Sequence, residues 1–237
     1  MEKINLFANI RKIVLSSLII ASFCNCSSTK FVKFSEQGNE IYPSANLKTF
    51  LKENKSPKVV LRIQKGKTEP TDNEGNNILY DAIEKELLMQ GFTVRDRQLF
   101  NQIISNSDSN SDYIRLKSKT DTDLIIDISK MDSKVLYHTN RYITDKGKDG
   151  LLDYNYKRYG AVVEFKIVII SNNEFAGTYT YNYSPCNEKY PCQIDDSFKR
   201  KWSAVQKGKR GYEEIDKNAL EEFVREATKA MVTSMRQ

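Results

Sequence analysis

Residues 161 to 183 read AVVEFKIVIISNNEFAGTYTYNY, and no other stretch constrains the fold as much. The first ten are dense in β-branched and aromatic side chains, SNN interrupts them, and Thr178 and Thr180 then alternate with Tyr179, Tyr181 and Tyr183. Two such arms around a short polar turn predict an antiparallel hairpin with one aromatic face. Those tyrosines are expected to pack on the sheet or pair across strands, with an exposed stacking platform as the sharper alternative.

Other segments supply the remaining layers. KVVLRIQ (58 to 64), FTVRDR (92 to 97) and KVLYHT (134 to 139) read as strands, and DLIIDIS (123 to 129) is a continuous apolar run suited to mid-sheet. Residues 76 to 90, NNILYDAIEKELLMQ, repeat Leu79, Ile83 and Leu87 at intervals of four, with Ala82 and Glu86 alongside and Gly91 as a stop, which predicts a helix. QLFNQIISN predicts a short helix with Leu99, Ile103 and Phe100 inward. NALEEFVREATKAMVTSM closes the chain as a helix with Leu220, Phe223, Val224, Ala227 and Met231 on one stripe, and Asn218 and Glu221 at capping-box spacing. KGKTEPTDNEGNN, SDSNSD and TDKGKDG are too rich in Gly, Asp, Asn and Ser for regular structure and read as loops. The pattern predicts a single α/β domain over residues 58 to 237, a mixed sheet flanked by helices.

The first 25 residues predict a lipoprotein signal peptide. Lys3, Arg11 and Lys12 form a positive start, IVLSSLIIASF an apolar stretch too short to span a bilayer, and polar residues follow at once. SFCNCSSTK, residues 22 to 30, then offers two cysteines for acylation. The arrangement resembles bacterial lipoprotein signals, which place a small residue just before the modified cysteine. Phe23 before Cys24 is bulky, whereas Asn25 before Cys26 fits a looser version of the pattern, so Cys26 is the expected lipidation site with Cys24 as the alternative. Several acyl chains would make attachment nearly permanent. Residues 26 to 57 are polar and read as a tether, apart from ANLKTFL, which could form a helical turn. Cys186 and Cys192, in SPCNEKYPCQ, are expected to form a local disulfide in an oxidising compartment.

Catalytic patterns are missing. One histidine, His138, cannot build a Cys/His metal site, and there is no nucleophile elbow, Walker loop or dinucleotide fingerprint. The acidic pairs Asp121 and Asp123, Asp195 and Asp196, and Glu213 and Glu214 lie in polar stretches and read as solvated acids, although two distant carboxylates could serve a glycosidase. Neither enzyme activity nor a cofactor is expected. The run FKRKWSAVQKGKRG, residues 198 to 211, concentrates charge, and Lys199, Arg200, Lys201 and Trp202 are the expected partner contacts on an exposed irregular segment. The formal net charge is +6; losing Lys3, Arg11, Lys12 and Glu2 with the leader lowers it by two, to a mild balance that implies no nucleic-acid partner.

Three segments also resemble the curli-secretion (CsgG-like) lipoproteins and their relatives with a TolB amino-terminal-like domain. ILYDAIEKELLMQGFTVRDRQLFNQII is similar to that family's helix, F-x-V-x-x-R strand and Leu-rich helix; DTDLIIDIS stands where its Gly-Ala-Asp strand does; VVEFKIVIISNNEFAGTYTY is similar to its central hairpin. The resemblance covers residues 58 to 235 and implies a lipid-anchored envelope protein, at the outer membrane facing the periplasm, that binds or regulates a protein partner in a secretion, assembly or wall-building apparatus. Homo-oligomers occur among such proteins. The chain departs from the pore-forming members: residues 140 to 160 are charged throughout, without the alternation expected of a membrane hairpin, and Asn172, Asn173 and Glu174 replace the usual Thr-Gly-Glu turn. An oligomeric outer-membrane channel and a polysaccharide-binding protein or hydrolase are the alternative functions.

Overall fold

The computed structural model describes residues 28–63, 73–105 and 113–237. In chain order the elements are β1 (Lys30–Val32), β2 (Glu40–Pro43), α1 (Ala45–Glu53), β3 (Lys58–Ile63), α2 (Asn73–Met89), β4 (Thr93–Arg95), α3 (Arg97–Ser105), α4 (Tyr113–Thr120), β5 (Leu124–Thr144), β6 (Asp149–Ile169), β7 (Glu174–Tyr183), α5 (Asp196–Gln206) and α6 (Lys217–Arg236). The strands form one mixed seven-stranded sheet in the order β2-β7-β6-β5-β3-β4, with β1 joined to the far end of β5. β3 is parallel to β4 and β5, and the remaining pairings are antiparallel.

Period-two alternation sends Val59, Leu61, Leu124, Ile126, Ile128, Phe165 and Ile167 to one face, where α1, α2 and α6 cover them. Tyr179 and Tyr181 join this core and are buried, so β7 offers no stacking platform. On the opposite face Phe100 of α3 packs with Val60, Ile125 and Ile170. Phe100 is the inward residue of α3, whereas Leu99, expected inside, is 58% exposed. Further along that face Arg62 grips the buried Asp127 through two charge-assisted bonds of 2.5 and 2.6 Å.

The helix ends follow local chemistry. α2 stops at Gly91, whose φ of +84° suits glycine, and Phe92 N–H returns to the Leu87 carbonyl at 3.1 Å. α6 is capped by Asp216, which accepts from the Asn218 and Ala219 amides, rather than by Asn218. Among the described residues no helix is long and apolar enough to cross a membrane.

Three expectations are corrected. Residues 28–57 are not a tether. They contain β1, β2 and α1, and Val32, Phe34, Leu47 and Leu51 are buried, because Ser44 caps α1 and β2 pairs with β7. The stretch from 140 to 160 does form a hairpin: β5 and β6 are each 21 residues long and meet at a tight turn. Residues 149 to 156 alternate between exposed and more sheltered positions, with Tyr154 and Tyr156 turned inward and Asp149, Asp153 and Asn155 outward. The irregular segment expected after residue 198 is largely helix α5, capped by Asp195. SDSNSD and the first part of KGKTEPTDNEGNN fall mainly outside the described residues, whereas 73 to 77 belong to α2.

A second apolar cluster sits beyond the main core. The distal half of the β5–β6 hairpin contributes Tyr137 and Tyr156, the amino-terminal segment Val32 and Phe34, and α5 Trp202. Phe198, Val205, Cys186 and Cys192 pack against them.

Candidate functional site

Arg158 organises the surface around this second cluster. It stands on β6 opposite Tyr137 and reaches a loop and a connecting segment at once. Its Nη1 lies 3.5 Å from Cys186 Sγ and closer still to Cys192 Sγ. Its Nη2 is 3.4 Å from Glu213 Oε2, and the same carboxylate accepts from Lys201 Nζ on α5 at 3.2 Å. Both partners of the Arg158–Glu213 pair are about one-quarter to one-third exposed, and a forked guanidinium, unlike a lysine, reaches the sulfurs and the carboxylate at once.

The disulfide between Cys186 and Cys192 closes the loop. The loop is clamped on two sides. Toward α6, Lys189 pairs with Glu222 and, at 3.3 Å, with Glu226, while the Tyr190 hydroxyl donates to Glu222. These bonds hold the Glu222 carboxyl below its ordinary value, and they raise Lys189 and Tyr190. Toward the amino terminus, Val32 N–H donates to the Cys192 carbonyl at 2.9 Å and Ile194 N–H to the Lys30 carbonyl at 2.8 Å. β1 therefore lies between β5 on one edge and residues 192 to 194 on the other.

Two open clefts flank Arg158. One of about 380 Å³ is lined by Tyr159, Tyr183, Lys189, Tyr190 and Asp216. The other, of about 320 Å³, lies along α5, where Gln193, Lys201 and Trp202 line it with Glu213. Both are open to solvent and at the small end for a pocket that encloses a ligand.

The structure separates the sequence-predicted site residues. Cys24 and Cys26 lie outside the described residues. Cys186 and Cys192 are joined as expected. Lys199, Arg200 and Lys201 are exposed on α5. Trp202 is not on the surface with them: it is 6% exposed, its ring 5.0 Å from Tyr156 and 6.1 Å from Tyr154. Phe198, Trp202 and Val205 recur at i, i+4 and i+7, so one helix face turns inward while the basic residues point out. Burial raises the Tyr156 hydroxyl to about 12, which keeps it neutral in the cluster.

The acidic pairs have structural work. Asp121 binds Lys58 and Arg95, and the Lys58 contact lowers its carboxyl from the ordinary range. Asp123 accepts the Lys58 amide at 2.9 Å and anchors the start of β3. Among the described residues no group of three or more His, Cys, Asp and Glu side chains could hold a metal ion. Sequence reasoning missed Arg158, Lys189, Tyr190 and Glu222, and it read Glu213 as a solvated acid where the structure pairs it with Arg158 and Lys201. Their roles come from pairings across many residues, and no local pattern marks them.

No family model matches the chain, and no curated protein does either. Among solved structures it is similar to a single-residue variant of the PelC dodecamer from Paraburkholderia phytofirmans, with 10% identity and a TM-score of 0.39 over 85% of this chain and 100% of that one. A second PelC dodecamer from the same organism gives 9% identity and a TM-score of 0.36, over 84% and 96%.

Proposed function

We propose that this protein is an exported, lipid-anchored component of a bacterial cell envelope that holds a protein partner and performs no chemistry of its own. The observation that carries the reading is the Cys186–Cys192 disulfide, set into the clamp between β1, α5 and α6. A structural disulfide of this kind belongs to an oxidising compartment, in agreement with the leader that precedes Cys26. In this reading Cys26 is acylated, the domain faces the periplasm from the outer membrane, and the partner engages the ridge Lys199, Arg200 and Lys201 with the adjoining clefts.

The ridge suits an acidic protein surface, because its cations are exposed and only Lys199 and Lys201 have ion-pair partners, Asp196 and Glu213. The channel alternative is less favoured. The outward residues Asp149, Asp153 and Asn155 would face lipid in a membrane-spanning hairpin, where an apolar band is required. Self-association remains compatible with the reading and is measured directly as the mass of the detergent-extracted protein.

The test is a photo-crosslinking residue at Arg200 in intact cells, with Lys48 on α1 as the remote control. The expected result is one discrete protein adduct from position 200, lost when the flanking Lys199 and Lys201 are changed to Glu. An adduct that survives the charge reversal, or equal labelling from both positions, overturns the assignment of the ridge.

A further inference from the structure

We infer that the tip of the β5–β6 hairpin rests against the anionic headgroups of the membrane that holds the acyl chains, so the domain stands on this tip. The inference rests on acylation of Cys26. Its premise is the position of β1. Lys30 pairs with Thr144, Asp145 N–H donates to the Thr29 carbonyl at 2.9 Å, and Lys33 N–H donates to the Arg141 carbonyl at 2.9 Å. The chain is thus fastened to the hairpin tip from Thr29 onward. Only Ser27 and Ser28 separate Thr29 from Cys26, and the three residue steps between them reach about 10 Å at full stretch.

That reach is close to one Debye length at physiological salt, about 8 Å, so charges on the tip are inside the field of the surface. The tip is built to use it. Gly147, at φ +74°, closes the turn with its N–H on the Thr144 carbonyl at 2.8 Å. Lys146 and Lys148 are exposed in the turn, and among the described residues neither has an ion-pair partner. Two acids lie at the tip, Asp145, exposed in the turn, and Asp149, matched by Lys33 at 3.2 Å and Arg141 at 3.6 Å; against them stand the cations Lys30, Lys33, Arg141, Lys146 and Lys148, so positive charge prevails. Lys30 lies over the Tyr142 ring at 4.6 Å, a cation beside an aromatic side chain. Leu151, opposite Arg141 on the hairpin, is 69% exposed. Lysines around an exposed leucine and a tyrosine fit the interfacial layer of a bilayer and do not fit its interior.

The same geometry removes the other faces from contact. α6 and β2 lie level with the middle of β7, where Tyr42 pairs with Thr178 and Thr178 with Lys166. From there to Lys148 the strand path is roughly 60 Å at about 3.3 Å per residue. Arg158 and its clefts lie between, free to meet a periplasmic partner.

The test uses the full acylated chain reconstituted in vesicles of phosphatidylglycerol and phosphatidylethanolamine that contain a nickel-chelating lipid. With Cys26 acylated and Cys186 joined to Cys192, a Lys146→Cys change supplies a single free thiol for a fluorophore; Lys229→Cys on α6 is the control. Mass spectrometry of the same samples reports the acylation. The expected result is loss of emission by collisional quenching at position 146 and none at 229, abolished by a twenty-residue Gly-Ser spacer between Ser28 and Thr29. Acylated protein with equal emission at both positions overturns the orientation and leaves the lipid anchor standing. Quenching that the spacer does not change shows that the short leash is not its cause and overturns the argument from reach. A mature chain without acyl groups on Cys26 overturns the anchor, and the inference with it.

Discussion

Trp202→Ala tests whether the second cluster is a core in its own right. A buried tryptophan removes about 250 Å² from water, worth roughly 6 kcal/mol at about 25 cal/mol per Å². Compactness of the denatured chain trims that by about a third. The indole Nε1 has no hydrogen-bond partner, and such a group takes back roughly 1–3 kcal/mol. The ring contacts with Tyr156 and Tyr154 add about 0.5–1.5 kcal/mol each. The balance places the cost of truncation at about 3–5 kcal/mol, in the usual range for a buried aromatic. With a urea slope of about 2–3 kcal/mol per molar, the unfolding midpoint should fall by roughly 1–2 M. Far-ultraviolet circular dichroism follows the change, because Trp202 is the only tryptophan and its fluorescence disappears with it. Trp202→Phe keeps a ring and removes the unpaired N–H, so its cost should stay below about 1.5 kcal/mol. A Trp202→Ala midpoint within about 0.2 M of the parent, as a surface change would give, refutes the assignment of Trp202 to the core.

Three further outcomes follow from the same region. Replacing Cys186 and Cys192 with Ser should cost roughly 2 kcal/mol for so short a loop and should raise amide exchange at residues 30 to 34, which lean on residues 192 to 194. Gly160→Ala places a Cβ 2.4 Å from Tyr137 Cε2 and 2.4 Å from the Tyr183 carbonyl, so a loss of about 1–3 kcal/mol is expected by thermal unfolding, whereas Gly38→Ala, which meets nothing within 4 Å, should change stability by less than about 0.5 kcal/mol. The loop clamp should be pH-bounded. Glu222 titrates lower in the fold than its ordinary 4.5, so its contribution is complete above 4.5 and lost as pH falls through the folded value. Lys189 titrates higher than its ordinary 10.5, so its contribution is complete below 10.5 and lost as pH rises through the folded value. NMR line positions of residues 186 to 192 should therefore stay constant between those limits and move outside them.

The main core was legible because its signals are local. Leu79, Ile83 and Leu87 on one helix face, the β6–β7 hairpin around Ser171 to Asn173, and the stripe Val224, Ala227 and Met231 each occupy a single window of sequence, and the structure places all of them as the patterns predict. The second cluster was not legible. Val32 and Phe34 are an isolated apolar pair in a polar stretch, and they are buried only because β5 and residues 192 to 194 arrive from far along the chain. In the distal hairpin the charges sit on the outward face, so their density hid the inward tyrosines. In α5 the basic residues drew attention away from Phe198, Trp202 and Val205, whose spacing was available. Arg158 could not have been chosen by any local rule, since every group it holds is remote in sequence.

The clasp around β1 also fixes an order of events. Lys30 and Phe31 are made long before their partners, Thr144, Ile143 and Gln193. Until residue 193 has been made, one edge of β1 has nothing to bind. Contacts that close loops of this length form slowly compared with local ones. β1 therefore keeps one edge open through most of synthesis, and that edge is covered only as the last third of the chain arrives.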